Sequence, residues 1–271
     1  MKKRVVLPPY IFWLVTFVLV PMSLVVYFAF TDKNGNFSLS NLNDVFLYSN
    51  VFLRSIWLGF IATSFCFLIG YPTAYIISRV NIKCRKFLIA MIMLPMWTNF
   101  LLKTYAWMTI LEERGFVSCF FQFLGIGKFS LINTSSAVVF GMVYNFITYM
   151  ILPIYSVLIR NDRHLVEAAQ DLGANQLKIF LKVTFPLSLP GVIAGIAMVF
   201  VPSVSTFVLS KMLGGGKDLL IGDIIDMQFL GSVYNPCLGS AISLVLMILV
   251  FICSGIMNQF VKREERTVIA L

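Results

Sequence analysis

The chain has 271 residues, 59% of them hydrophobic and only 12% charged, with a mean hydropathy of +0.89. Water-soluble domains carry about 25% charged residues, so this composition excludes one and calls for an integral membrane protein. The formal charge of +9 raises the question of nucleic acid, but the basic residues form short clusters beside apolar runs, with no basic stripe and no nucleic-acid module.

A bilayer crossing takes about 20 apolar residues, and windows at 9–31, 52–78, 87–110, 135–159, 186–210 and 236–260 meet that need. The predicted fold class is an all-α integral membrane protein with six transmembrane helices. The first window follows Lys2-Lys3-Arg4 and runs on to Phe30 with no small-residue cleavage pattern. A secretory core is about 7 to 15 residues long, so an uncleaved first span is expected. The third window carries Lys103 near its far end, where a long side chain can snorkel to the interface.

Charge then assigns the sides. Fourteen of the 21 basic residues fall at the N-terminus (Lys2, Lys3, Arg4), the second connection (Arg79, Lys83, Arg85, Lys86), the fourth connection (Arg160, Arg163, Lys178, Lys182) and the C-terminus (Lys262, Arg263, Arg266). Seven fall on the other side: Lys33, Arg54, Lys103, Arg114, Lys128, Lys211 and Lys217. Under the positive-inside rule both termini are expected in the cytoplasm. Seven of the 12 acidic residues lie outside on this assignment, among them Asp223 and Asp226.

Backbone irregularity in a bilayer is tolerated only where protein or a water-filled cavity surrounds it. Pro95 in Leu94-Pro95-Met96-Trp97-Thr98-Asn99, Pro153 and Pro202 each interrupt an apolar run beside polar or aromatic groups, and mark either packing kinks or a lined pathway. Trp97, Tyr105, Trp107, Tyr144 and Tyr149 gather in spans three and four. Such rings anchor helices at interfaces, and they also offer faces to a cation. Trp97, Tyr105 and Tyr149 are the candidate pathway aromatics, with Asp223 and Asp226 as candidates for an outer acidic mouth; their spacing puts the two acids on one face of a helix.

Catalytic and nucleotide-binding patterns are missing. Gly214-Gly215-Gly216-Lys217 resembles part of a phosphate loop, but Lys211 and Asp218 stand where Gly and Ser or Thr are required; a flexible outer loop is expected. The single histidine, His164, has no companion at metal-ligand spacing. The five cysteines, Cys66, Cys84, Cys119, Cys237 and Cys253, are dispersed, odd in number and without metal spacing. Neither cofactor, metal nor enzyme activity is expected.

The most telling segment lies between spans four and five: Glu167-Ala168-Ala169-Gln170-Asp171-Leu172-Gly173, then Val183-Thr184-Phe185-Pro186. Leu165, Ala168, Ala169 and Leu172 recur at helical spacing among polar residues, which predicts a short amphipathic surface helix. Gly173 can end it with positive φ, and Pro186 suits the first turn of the helix that follows. The segment resembles the EAA loop of ABC-importer permeases, with every interval of that pattern kept; Val183 and Phe185 replace the usual Ile and Leu. Leu94–Asn99, Pro186–Gly195 and Leu213–Gly222, with Gln228-Phe229-Leu230 beyond, are similar to the B-type permease subunit of bacterial spermidine/putrescine importers.

That resemblance implies a type I importer permease in the bacterial cytoplasmic membrane. Residues 1–50 would hold the N-terminus, first span and outer loop, residues 51–260 the permease core with its EAA loop at 160–186, and residues 261–271 a cytoplasmic tail. It implies four kinds of partner: a second similar permease subunit, two cytoplasmic ATP-binding subunits, an external polyamine-binding protein and the lipid bilayer. Glu167, Ala168, Ala169, Asp171, Leu172 and Gly173 would couple the permease to the ATPase. Two alternatives stay open: a permease of the same family for an iron complex, a sugar or a phosphorylated compound, and an ion-coupled secondary transporter. The latter would carry its own ion site and often inverted repeats, and the sequence displays neither.

Overall fold

The computed structural model describes residues 3–32, 35–123, 131–161, 163–216, 219–231 and 234–269. The side chains of Lys2, Lys3, Arg4, Lys33, Lys128, Asp162, Arg163, Lys217 and Asp218, and the tail from 261 onward, lie outside that description. In chain order, α1 (Lys3–Leu14), a π turn (Val15–Leu19) and α2 (Val20–Ala29) make the first crossing. The short α3 (Ser40–Val45) precedes α4 (Ser49–Arg79), then α5 (Ile82–Trp97), α6 (Phe100–Leu111) and α7 (Phe116–Phe123). After α8 (Ser135–Leu158) come α9 (Arg163–Asp171), α10 (Gln176–Ile179), α11 (Phe185–Ser205), α12 (Val208–Leu213), α13 (Ile221–Leu230) and α14 (Pro236–Ile269). Extended pairing among the described residues is a single bridge between Thr31 and Phe37.

Five of these helical stretches are long and apolar enough to cross a membrane, and the α5–α6 pair supplies a sixth crossing bent by 90°. The six-span all-α architecture follows. Two of the expected spans differ in detail. The third, expected as one helix over 87–110, breaks at Thr98 and Asn99, whose ψ values of 152° and 129° are extended. The fifth, expected over 186–210, runs from Gln176 to Ser205. Asn175 starts it early by accepting the Lys178 N–H on its side chain at 2.9 Å. Pro186 therefore lies inside a continuous span, just after a π turn at Phe180–Thr184. A proline there withholds the N–H that the Lys182 carbonyl would take, and a widened turn is the usual accommodation.

At the centre, α4, α8 and α11 pack together, with α14 against α11 and α2. Their shared core includes Ala62, Cys66, Met142, Met150, Ile154 and Val199, all fully buried. A second cluster, built on Ala29, Ile221, Ala241 and Ile242, joins α2 and α14 to α13. Lipid chains are as apolar as leucine, so helices in a bilayer associate by close fit rather than by exclusion from water, and small residues permit it. Met150 is wedged between Gly70 of α4 and Gly195 of α11, where an added Cβ would stand 3.0 Å from its Cγ and 2.8 Å from its Sδ respectively. At Gly191 a Cβ would meet backbone, 2.9 Å from the Pro153 carbonyl oxygen and 3.1 Å from the Ile154 Cα. Half-buried Pro153 thus lies at this helix contact. A buried hydrogen bond between the Tyr71 hydroxyl and Ser188 Oγ, 2.9 Å long, ties α4 to α11 one turn further along.

Gly191→Val must push α11 off α8, because a backbone carbonyl cannot rotate aside. A loss of about 1–3 kcal/mol is expected, read as a lower unfolding temperature in detergent, whereas Gly255→Ala, where a Cβ meets nothing within 4 Å, should leave that temperature within a degree or two.

Candidate functional site

Three places bring the sequence candidates into focus. The first is α9. Glu167, Ala168, Ala169 and Asp171 lie on it, and Leu172 and Gly173 end it. Its end is a complete Schellman motif: Gly173 has φ +76°, its N–H donates to the Gln170 carbonyl at 2.8 Å, and the Ala174 N–H reaches back to Ala169 at 3.1 Å. No heavy atom lies within 4 Å of a Cβ built on Gly173, so glycine is required there by backbone conformation and not by space.

The apolar stripe read from the sequence is divided between two faces. Val166 and Ala169 are half-buried against the body, while Leu165, Ala168 and Leu172 face away, with Leu172 88% exposed. Glu167 is exposed and pairs with the His164 ring at 3.2 Å. Beneath α9 lies a cavity of about 370 Å³, walled by the last turns of α4 and α8, the first turn of α5 and the start of α11. Four of the six cytoplasm-assigned helix ends therefore meet at one place.

The second place is the break in span three. Pro95 lies in the last turn of α5, and its carbonyl accepts from Thr98 Oγ1 at 2.8 Å and from Lys103 Nζ at 2.9 Å. Asn99 caps α6, its side-chain oxygen accepting from the Leu101 and Leu102 N–H groups at 2.9 and 3.3 Å. Instead of snorkelling to the interface, Lys103 turns back, because the bend releases a carbonyl within its reach and an unsatisfied one in a bilayer costs several kcal/mol. The bend displays Trp97, 78% exposed. Tyr105 is exposed on α6, and Tyr149 on α8 is half-buried beside Phe146, with ring centroids 6.3 Å apart. The structure forms no ring pair among Trp97, Tyr105 and Tyr149 among the described residues. Trp107 instead packs edge-on against Phe140 and Tyr144, at 4.6 and 5.0 Å, which fastens α6 to α8.

The third place is the outer end of spans five and six. Asp223 and Asp226 share α13, as their spacing predicts, but in different settings. Asp223 is 1% exposed, and its Oδ2 accepts the Leu220 N–H at 2.8 Å, locking the helix start. Ser55 of α4 takes the next N–H, from Ile221, at 2.8 Å. Burial pushes the Asp223 carboxyl above its ordinary range, opposed by the Ser210 hydroxyl, the Leu220 N–H and the charge of Lys211, and reinforced by Asp226. Asp226 forms an ion pair with Lys211, whose ammonium also lies 5.6 Å from the Phe207 ring centre. The glycine run expected as a flexible loop makes a defined turn over its described part: Gly215 and Gly216 have φ +60° and +73°, and Asn133 donates its N–H to the Leu213 carbonyl at 2.8 Å. Pro202 lies half-buried in the last turn of α11, close to that end. The carbonyl-capping role of Lys103 and the wedge at Met150 had no signal in the sequence, since both depend on long-range packing.

A bundle of six crossings, without a sheet among the described residues and with an exposed amphipathic helix between spans four and five, describes a multi-pass membrane component. Comparison with known proteins narrows the class. Residues 67–266 match the binding-protein-dependent transport system inner membrane component family. The chain is 39% identical over 247 residues to the spermidine/putrescine transport system permease protein PotB of Haemophilus influenzae, covering 88% of this chain and 86% of that one. To the protein of the same name from Escherichia coli it is 35% identical over 246 residues, 87% and 89% of the two chains. Among solved structures, a chain of a bacterial ABC transporter importing the acidic polysaccharide alginate superposes with a TM-score of 0.83 at 16% identity, covering 97% and 95%. A chain of the MetNI methionine ABC transporter gives 0.59 at 18% identity, covering 82% and 98%. The chain belongs to the binding-protein-dependent inner membrane transport component family. It is thus a multi-pass transport subunit of an inner membrane and not an enzyme.

Because the Asp223 carboxyl is held above its usual range, its contribution to stability is greatest with the proton on and falls as pH rises through that raised value. Asp223→Asn keeps an oxygen for the Leu220 N–H and removes the charge. It should match or exceed the parent in thermal stability at pH 8, with the difference vanishing toward pH 4. Asp223→Ala loses the cap as well and should be about 1 kcal/mol less stable than Asp223→Asn at either pH.

Proposed function

We propose that this chain is the permease subunit of an ATP-driven polyamine importer, forming half of the translocation pathway for spermidine or putrescine. The observation that carries the substrate class is the similarity to spermidine/putrescine permeases over more than four fifths of both chains. The chemistry at the candidate sites is compatible with it. A polyamine spreads charge along an apolar chain, so aromatic faces such as Trp97, Tyr105 and Tyr149 suit it, each worth about 0.5–2 kcal/mol depending on desolvation. Asp226, paired with Lys211, is the carboxylate a cationic substrate would meet at that end.

The complex would contain a second, similar permease subunit, two cytoplasmic ATP-binding subunits and an external polyamine-binding protein. Both termini and α9 lie in the cytoplasm on the charge assignment. There the outward apolar face of Leu165, Ala168 and Leu172, flanked by Glu167 and Asp171, is the docking surface for an ATP-binding subunit. Leu165 and Leu172, 48% and 88% exposed on one short helix, form an apolar patch of the kind a partner protein covers. Closure of the ATPase dimer would move α9 and, through Gly173 and the directly following α10, the whole of span five.

Reconstituted with its binding protein and ATPase, the complex should take up labelled spermidine or putrescine on ATP addition, and Trp97→Ala should reduce that uptake severalfold. Uptake of a neutral sugar or an anion in place of polyamines would overturn the substrate and leave the permease reading standing. Gly173→Val forces a β-branched residue into the left-handed region, at about 1–3 kcal/mol. Membrane insertion should persist while ATP hydrolysis no longer responds to the loaded binding protein; full transport in this variant would remove the coupling role of the bend.

A further inference from the structure

The cavity beneath α9 has a chemical character that transport of a polycation does not use. We propose that it is a binding site for a phosphate-bearing anion, held by Arg79 and Arg85 between the helix that docks the ATPase and the body of the protein. Arg79 ends α4 and Arg85 stands in the first turn of α5, on either side of the short link at Val80 and Asn81, so the chain reversal brings two guanidiniums to one cavity. Neither has a carboxylate partner among the described residues. Arg79 lies over the Tyr75 ring with its Cζ 5.2 Å from the centre, a stacking that orients the planar group and leaves its N–H fork to be used.

Two residues of the cavity wall also carry unpaired polar atoms just beneath its surface. Thr184, 6% exposed, lines the cavity with a buried Oγ1 that has no hydrogen-bond partner among the described residues, and the Asn161 Nδ2 is buried there in the same condition. Buried polar atoms are paired in nine cases out of ten, so two such donors beside two guanidiniums define a ligand rich in acceptor oxygens. The groups opposing an anion are Glu167, which contacts His164, and the carbonyl ends of α4 and α8, at the second of which the Asn161 N–H donates to the Val157 carbonyl at 3.2 Å. Two full positive charges and the N-terminal end of α5 outweigh one carboxylate and two helix C-termini of about half a charge each. For the same reason a polyamine is excluded from this cavity.

A volume of about 370 Å³ accommodates a phosphate with a small polar substituent. On the topology proposed above the cavity opens at the cytoplasmic membrane surface, where basic pockets between transmembrane helices take anionic headgroups; inorganic phosphate offers the same oxygens. Because Glu167 and Gln170 of α9 form one wall, an occupant bridges the docking helix to α4 and α5, and its presence sets how far α9 can move.

Native mass spectrometry of the full chain in non-ionic detergent, with phosphatidylglycerol or phosphatidylcholine added, tests the lipid source. Thermal shift with inorganic phosphate against chloride at constant ionic strength tests the soluble one. Phosphatidylglycerol should be retained at least tenfold more tightly than phosphatidylcholine, a preference that the paired substitution Arg79→Gln and Arg85→Gln abolishes and Thr184→Val weakens severalfold. Stabilisation by inorganic phosphate that depends on the arginines, with no preference between lipids, assigns the site to a soluble anion. Should the paired variant fail to accumulate, Thr184→Val decides. Unchanged binding of both probes in it, or binding of neither probe by the parent chain, overturns the site.

Discussion

The contact on which the rest of the molecule depends is the approach of α11 to α8 at Gly191, where backbone meets backbone at the Pro153 carbonyl. With Met150 locked between Gly70 and Gly195 one to two turns away, it makes α4, α8 and α11 a single trunk. Such contacts serve where the hydrophobic effect is silent, since interdigitation against a neighbouring backbone exceeds what a lipid chain can offer. Each end of that trunk builds one of the candidate sites. At one end the terminal turns of the three helices wall the cavity under α9; at the other, Ser55 of α4 and the turn at Leu213 receive α12 and α13.

A second constraint shapes span three. A bilayer leaves no water for orphaned backbone groups, so a helix can be broken there only where side chains replace the lost bonds. Thr98 and Lys103 cover the Pro95 carbonyl and Asn99 covers the start of α6. The break is thereby stable, and Trp97 can be displayed at its apex without cost to the backbone. A lysine that would be a liability inside a straight helix becomes the donor that permits the bend.

The helix between spans four and five combines a rigid end with an uncovered face. The Schellman bonds around Gly173 set the angle at which α9 leaves for α10, and span five begins three residues later at Gln176 with little slack. The short connection thereby ties α9 closely to a 30-residue helix. That helix forms part of the trunk. The coupling proposed for α9 draws on this stiffness as much as on the apolar side chains it presents.

Much of the architecture was legible from local pattern. Hydrophobic length alone marks six crossings, because the bilayer imposes a minimum that composition must satisfy, and the spacing from Glu167 to Pro186 marks the short surface helix and its glycine stop, because a left-handed residue is a local requirement. Other features hold no local signature. The early start of span five rests on the Asn175 cap overriding the polar character of Gln176, Lys178 and Lys182, and the break in span three rests on a lysine eight residues away in sequence. Asp223 reads as a surface acid in the sequence and is buried as a helix lock, since burial depends on what α4 and α12 place over it. The stripe of Leu165, Ala168, Ala169 and Leu172 is written plainly in the chain, yet which part of it turns inward is settled by the position of the trunk. Periodicity specifies that a face exists; the surfaces that long-range packing brings beside it determine whether that face is covered.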